Sequence, residues 1–103
     1  MKRFVVEYRP EAMDNLLDIA AYVFEKSQNI KTSEAYLDRI YVRCEKIGDA
    51  PFGGIARDDL GSGLRMAIFE KSIVILYTIE RDTVWITNLF SGSRDYEALL
   101  SRP

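Results

Sequence analysis

Between Lys2 and Tyr8 apolar and polar side chains alternate, with Phe4, Val6 and Tyr8 on one side and Arg3, Val5 and Glu7 on the other. A period of two belongs to a strand with one buried face, so the chain is expected to open with a strand. Pro10 stops it and suits the first turn of a helix, where a missing N–H leaves no bond unmade. Beyond it Met13, Leu16, Leu17, Ala20, Ala21, Val23 and Phe24 recur at steps of three and four, while Glu11, Asp14, Asp18 and Glu25 stay outside. That spacing predicts an amphipathic helix to about Lys26.

Ser27 to Lys31 is polar, and Thr32 or Ser33 can cap a second helix by accepting from an exposed backbone N–H. In that helix Tyr36, Leu37, Ile40, Tyr41, Cys44 and Ile47 form the apolar stripe, and Gly48 with Pro51 ends it. Neither helix would persist alone in water, so the hairpin must dock on a sheet. Leu64 to Phe69, Ser72 to Ile79 and Thr83 to Phe90 supply three β-branched or aromatic runs. The linkers Glu70-Lys71 and Glu80-Arg81-Asp82 are short enough to permit only antiparallel hairpins, and the middle strand should be the most buried. Neither linker carries Asn-Gly or Asp-Gly, which leaves the register open. The expected class is α+β in the order β-α-α-β-β-β, a helical hairpin packed on a small antiparallel sheet with the first strand closing an edge. Residues 1–103 read as one domain.

Composition agrees with an independently folding chain: 48% of residues are hydrophobic, 12% aromatic and 29% charged, without charge blocks. A net charge of -2 argues against a protein whose main task is gripping phosphates. Met1 to Val6 resembles the start of a signal peptide, yet Glu7 and Arg9 interrupt it before an apolar region could form. The run from Ile73 to Tyr77 is too short to span a bilayer. A single cysteine fits a reducing compartment, and the expected location is the cytoplasm, with no membrane role.

Candidate chemistry is sparse. Histidine is absent, which removes the usual proton shuttle and the commonest metal ligand, and no metal set or cofactor motif stands out. Cys44 lies on an apolar stripe and reads as a small core residue. Asp58 and Asp59 beside Gly61 and Gly63 read as solvated turn residues, and Gly61-Ser62-Gly63 lacks the lysine of a phosphate loop. Three arginines remain, Arg57, Arg65 and Arg94, next to strands that otherwise read as buried. A guanidinium keeps its charge when partly desolvated and binds carboxylate or phosphate with two bonds, so each is a candidate anchor for a partner. An internal ion pair competes: it is favoured for Arg57, with Asp58 or Asp59, and balanced against the anchor role for Arg65 and for Arg94, which has Asp95 beside it. Trp85 and Tyr77 read as sheet packing.

With these elements placed, the chain resembles the ParE toxins of bacterial toxin-antitoxin pairs, within the wider ParE/RelE superfamily, over residues 1 to about 97. The resemblance rests on Tyr8-Arg9-Pro10-Glu11-Ala12, on Leu17, Ile19 and Tyr22, and on the Ala50-Pro51-x-Gly53 break. Arg57-Asp58-Asp59-Leu60, Gly63-Leu64-Arg65, Ile75-x-Tyr77 and the ending Gly92-x-Arg94-Asp95 complete it. It implies a toxin that inhibits DNA gyrase by stabilising cleaved DNA and is silenced by a ParD-like antitoxin with a ribbon-helix-helix domain. Arg57, Arg65, Arg94, Asp95 and Tyr96 are then the expected target-binding or antitoxin-binding residues, with DNA touched only indirectly and no catalytic group. The RelE branch instead cuts messenger RNA on the ribosome, with Tyr96 as a conceivable proton donor, but Pro51 to Gly63 holds none of the lysines such an enzyme would place there. A module that only holds its antitoxin is the third expectation. Phe90-Ser91 stand where many ParE-like chains carry a histidine before the glycine.

Overall fold

A computed structural model describes residues 3–91 of the chain. Along it run β1 (Val5–Tyr8), α1 (Pro10–Ser27), α2 (Ile30–Asp49), a single 3-10 turn (Pro51–Gly53), β2 (Ile55–Ala56), β3 (Arg65–Phe69), β4 (Ile73–Glu80) and β5 (Thr83–Ser91). The strands form one sheet in the order β1-β5-β4-β3-β2. The class is α+β with a helical hairpin on the sheet, and β1 closes an edge as expected.

One expectation is corrected. The sheet is mixed, because β1 pairs parallel to β5, with Val5 opposite Thr83 and Tyr8 opposite Ile86. Tight hairpins force β3, β4 and β5 to alternate. The direction of β1 is free of any such turn and is set by where the helical hairpin returns the chain. β2, two residues long and paired antiparallel to β3, lies in a stretch whose glycines hid it from a pattern of alternation.

The helices differ in detail from their sequence reading. Asn29 is the N-cap of α2: its side chain accepts from the N–H of Lys31 at 2.9 Å and of Thr32 at 3.2 Å. Ser33, expected as a cap, is buried and donates its hydroxyl to the Ala20 carbonyl at 2.8 Å, tying the two helices together. On α1 the buried positions are Ala12 and Leu16, with Ile19 packed beside them, whereas Met13, Leu17, Ala21 and Phe24 are exposed. Gly48 sits within the last turn of α2 because β1 crosses it closely. Its carbonyl accepts from the Phe4 N–H at 2.9 Å, and a Cβ would lie 2.5 Å from the Phe4 carbonyl oxygen.

The core lies between helices and sheet, where Leu16, Ile40, Cys44 and Ile47 meet Ile75, Tyr77, Val84, Ile86 and Leu89. β4 is buried on both faces over Ile73 to Tyr77, as expected of the middle strand. Val74 and Leu76 point to the far face, where Leu60 and Leu64 from the loop before β3 help to cover them. The β3–β4 turn places Glu70 and Lys71 at φ 47 and 61, a region costly for side chains with a Cβ. Arg39 of α2 grips Glu70 there through Nε at 2.9 Å, so a contact distant in sequence secures a turn without glycine.

Candidate interaction site

The Pro51–Gly54 break is held by two strand residues. Arg65 and Tyr77 stand opposite each other in the β3–β4 ladder, so their side chains leave the same face. Tyr77 is 1% exposed, and its hydroxyl donates to the Pro51 carbonyl at 2.8 Å while accepting from the Gly54 N–H at 3.1 Å. Arg65 sends one Nη2 to two backbone carbonyls, Phe52 at 2.8 Å and Gly54 at 2.7 Å, and lies over the Phe52 ring. Its Nε is buried without a partner among the described residues. Arg65 therefore forms no ion pair with a described carboxylate; its guanidinium closes a loop that presents Phe52, 66% exposed, to solvent.

Arg57 makes the ion pair favoured for it. Nε and Nη2 reach the two oxygens of Asp59 at 3.0 and 2.9 Å, and Nη1 faces the Met66 sulfur. The hydrogen bonds from Arg57 hold the Asp59 carboxyl below the usual carboxylate range. Asp58 accepts from the Gly63 N–H at 3.0 Å, where Gly63 takes φ 77, so both acids serve the turn before β3. Arg94, Asp95 and Tyr96 lie outside the described residues.

The single thiol is shielded from solvent. Cys44 is fully buried, and burial pushes its thiol up to about 11, with the nearby Tyr8 hydroxyl and Arg43 opposing. The Tyr8 hydroxyl is also raised, first by burial and then by Cys44, and it meets no hydrogen-bond partner within range among the described residues. Among the described residues no group of three His, Cys, Asp or Glu side chains could hold a metal ion, and no helix is long and apolar enough to cross a membrane. Trp85 is partly buried beneath Arg9, whose Cζ is 4.1 Å from the ring centroid and whose Nη2 also meets Glu80 at 2.8 Å.

Two surfaces lie apart from the site residues expected from the sequence. The first is the flank of α1 carrying Met13 (43% exposed), Leu17 (67%) and Phe24 (42%), an apolar row with no cover among the described residues. Its signal was present, since the apolar positions of α1 span about half the circumference at 100° per residue, more than one sheet face can bury. The second is a groove between α2 and β3, made of adjoining hollows of about 400 and 310 Å³ that share Arg43, Lys46 and Ile68. Nothing in the sequence announces it, because it depends on how α2 crosses the sheet.

Comparison with known proteins adds a family. The profile described as "ParE toxin of type II toxin-antitoxin system, parDE" matches residues 6–96. Among solved structures, a chain of the "Chromosomal ParDE TA system from P. aeruginosa" superposes with a TM-score of 0.73 at 11% identity, covering 86% of this chain and 96% of that one. A conserved hypothetical protein of Helicobacter pylori, solved in solution, superposes with a TM-score of 0.61 at 13% identity, covering 88% of this chain and 97% of that one. Identities this low speak to the fold alone. No curated protein matches.

Proposed function

The chain belongs to the ParE toxin family of type II toxin-antitoxin systems, and from that premise we propose that it arrests growth by docking on DNA gyrase, without making or breaking bonds itself. The family match from β1 through β5 carries this reading. The charge balance supports it, since a net -2 suits a protein that reaches DNA only through a protein target. So does the placement of Arg65, whose Nη2 donates to the Phe52 and Gly54 carbonyls and not outward to a phosphate. In this reading Arg65 contributes to target contact by presenting Phe52, while Arg57 fixes the adjoining turn and Arg94, Asp95 and Tyr96 extend the contact. The site of action is the cytoplasm.

Purified protein added to gyrase and supercoiled plasmid should trap linear, cleaved DNA. Gyrase left unaltered by a large excess would count decisively against the target, and toxin-dependent cuts in ribosome-bound messages would replace it with the ribonuclease reading.

The partner that silences the toxin is a ParD-like antitoxin with a ribbon-helix-helix domain. An apolar segment of it docks along the helical hairpin over Met13, Leu17 and Phe24, a row that is costly to leave in water. Leu17→Glu should therefore abolish the complex while leaving the far-UV circular dichroism unchanged; a complex of undiminished affinity would move the site elsewhere.

A further inference from the structure

Four exposed apolar side chains share one seam. Met13 (43% exposed), Leu17 (67%) and Phe24 (42%) come from α1, and Ile30 (62%) opens α2. At 100° per residue Ala20 lies on the same side of α1 as Met13 and Phe24. Its carbonyl takes the Ser33 hydroxyl at 2.8 Å, so this side of α1 is turned toward α2. The opposite side carries Asn15, whose Oδ1 accepts from the Leu89 N–H of β5 at 3.0 Å. The row therefore lines the outer cleft between the helices, where Leu37 and Tyr41, on the Ile30 side of α2, are partly buried.

The borders of that cleft are acidic. Asp14 and Glu25 lie about 60° and 80° round α1 from Leu17, on the side away from buried Ala12 and Leu16. Glu34 and Asp38 lie about 60° and 100° round α2 from Leu37, away from buried Ile40. All four carboxylates are exposed, and none makes an ion pair with a described residue. Arg9 and Arg39 are matched by Glu80 and Glu70, and Lys26 lies over the Tyr22 ring on the other side of α1. Among the described residues of the cleft that leaves Lys31, one base against four acids.

An apolar floor between two acidic borders fits an amphipathic helix whose own stripe is bordered by bases. We propose that this cleft selects its partner by charge: it takes an antitoxin helix with Lys or Arg on both sides of its apolar stripe and rejects one bordered by acids. Asp14, Glu25, Glu34 and Asp38 do the discriminating. This rests on the antitoxin reading above and adds to it the sign of the charges that decide which antitoxin is accepted. From Met13 to Phe24 the row runs about 16 Å, room for about eleven residues of helix. A second copy of this chain fits poorly, because a twofold contact would set the four acids against their own images. Phosphates of a nucleic acid would meet the same repulsion.

The test compares two synthetic helical peptides with one apolar stripe, bordered by lysines in the first and by glutamates in the second, in calorimetric titrations of the full chain. The lysine-bordered peptide should bind at least about tenfold tighter at low salt. Leu17→Glu should weaken that binding although it adds a negative charge, which separates the cleft from a general attraction of opposite charges. Asp14→Lys, Glu25→Lys and Glu34→Lys together should reverse the preference between the peptides. The same three changes should weaken the complex with the product of the neighbouring antitoxin reading frame by at least about tenfold. Equal binding of the two peptides, or binding of the lysine-bordered one that Leu17→Glu leaves unmoved, overturns the proposal, and both readouts stand even where the triple variant fails to fold. An antitoxin complex lost in Leu17→Glu but indifferent to the three reversals overturns charge selection and leaves the antitoxin reading standing. Failure to form any antitoxin complex overturns both.

Discussion

Replacing Tyr77 by Phe removes one oxygen atom from the place where the Pro51–Gly54 loop meets the sheet. The ring stays, so no cavity is opened and the cost is that of hydrogen bonding. Two bonds go, to the Pro51 carbonyl at 2.8 Å and from the Gly54 N–H at 3.1 Å. Each such bond contributes about 1 kcal/mol net, and the buried groups left behind add a desolvation penalty, so about 2–3 kcal/mol should be lost. For a domain of this size that lowers the thermal midpoint by roughly 10–20 °C. Denaturant titration followed by circular dichroism would give the value, and Tyr36→Phe is the control. The Tyr36 hydroxyl contacts Ser72 at 3.1 Å in an exposed setting and should cost less than about 0.5 kcal/mol. Arg65 holds the same loop through the Phe52 and Gly54 carbonyls, so Tyr77→Phe and Arg65→Met should couple by about 1 kcal/mol in a double-mutant cycle. A Tyr77→Phe variant within about 0.5 kcal/mol of the parent, or strictly additive losses, would refute the view that the two side chains act together on this loop.

Two further outcomes follow from burial and packing. Gly48→Ala should destabilise by about 1–3 kcal/mol, because contact with the Phe4 carbonyl just before β1 outweighs a helix-propensity gain of about 1 kcal/mol, and a more stable variant would contradict the close crossing. Stability should fall above about pH 9, because unfolded Cys44 ionises there while the folded thiol stays protonated to about 11 and Tyr8 is raised in the same direction. The native state then binds more protons than the unfolded one, which makes the slope of stability with pH negative; Cys44→Ala should flatten that slope in pH-dependent melting.

How far the molecule was legible depends on the range of the interaction. The three long strands were located to within a residue or so, because β-branched runs and short polar linkers are local signals. The Arg57 pair with Asp59 was legible for the same reason, since its partners are two positions apart. The cap of α2 was misplaced by a few residues, as Asn29, Thr32 and Ser33 offer similar chemistry and only backbone geometry selects among them. Met13, Leu17 and Phe24 were assigned to the core because periodicity marks an apolar arc without saying which part of it meets the sheet.

Alternation, helical spacing and turn residues by themselves determined the α+β class, the order of elements apart from the short β2, and the antiparallel β3–β4–β5 meander. Those signals are carried by neighbours along the chain and by the entropy of short connections. The parallel seating of β1, the loop lock between Arg65, Tyr77 and Gly54, and the cationic groove beside Ile68 were decided only by tertiary structure. Each brings together groups separated by many residues, and their meeting depends on how the helical hairpin crosses the sheet, a balance of packing over the whole core that no local stretch encodes.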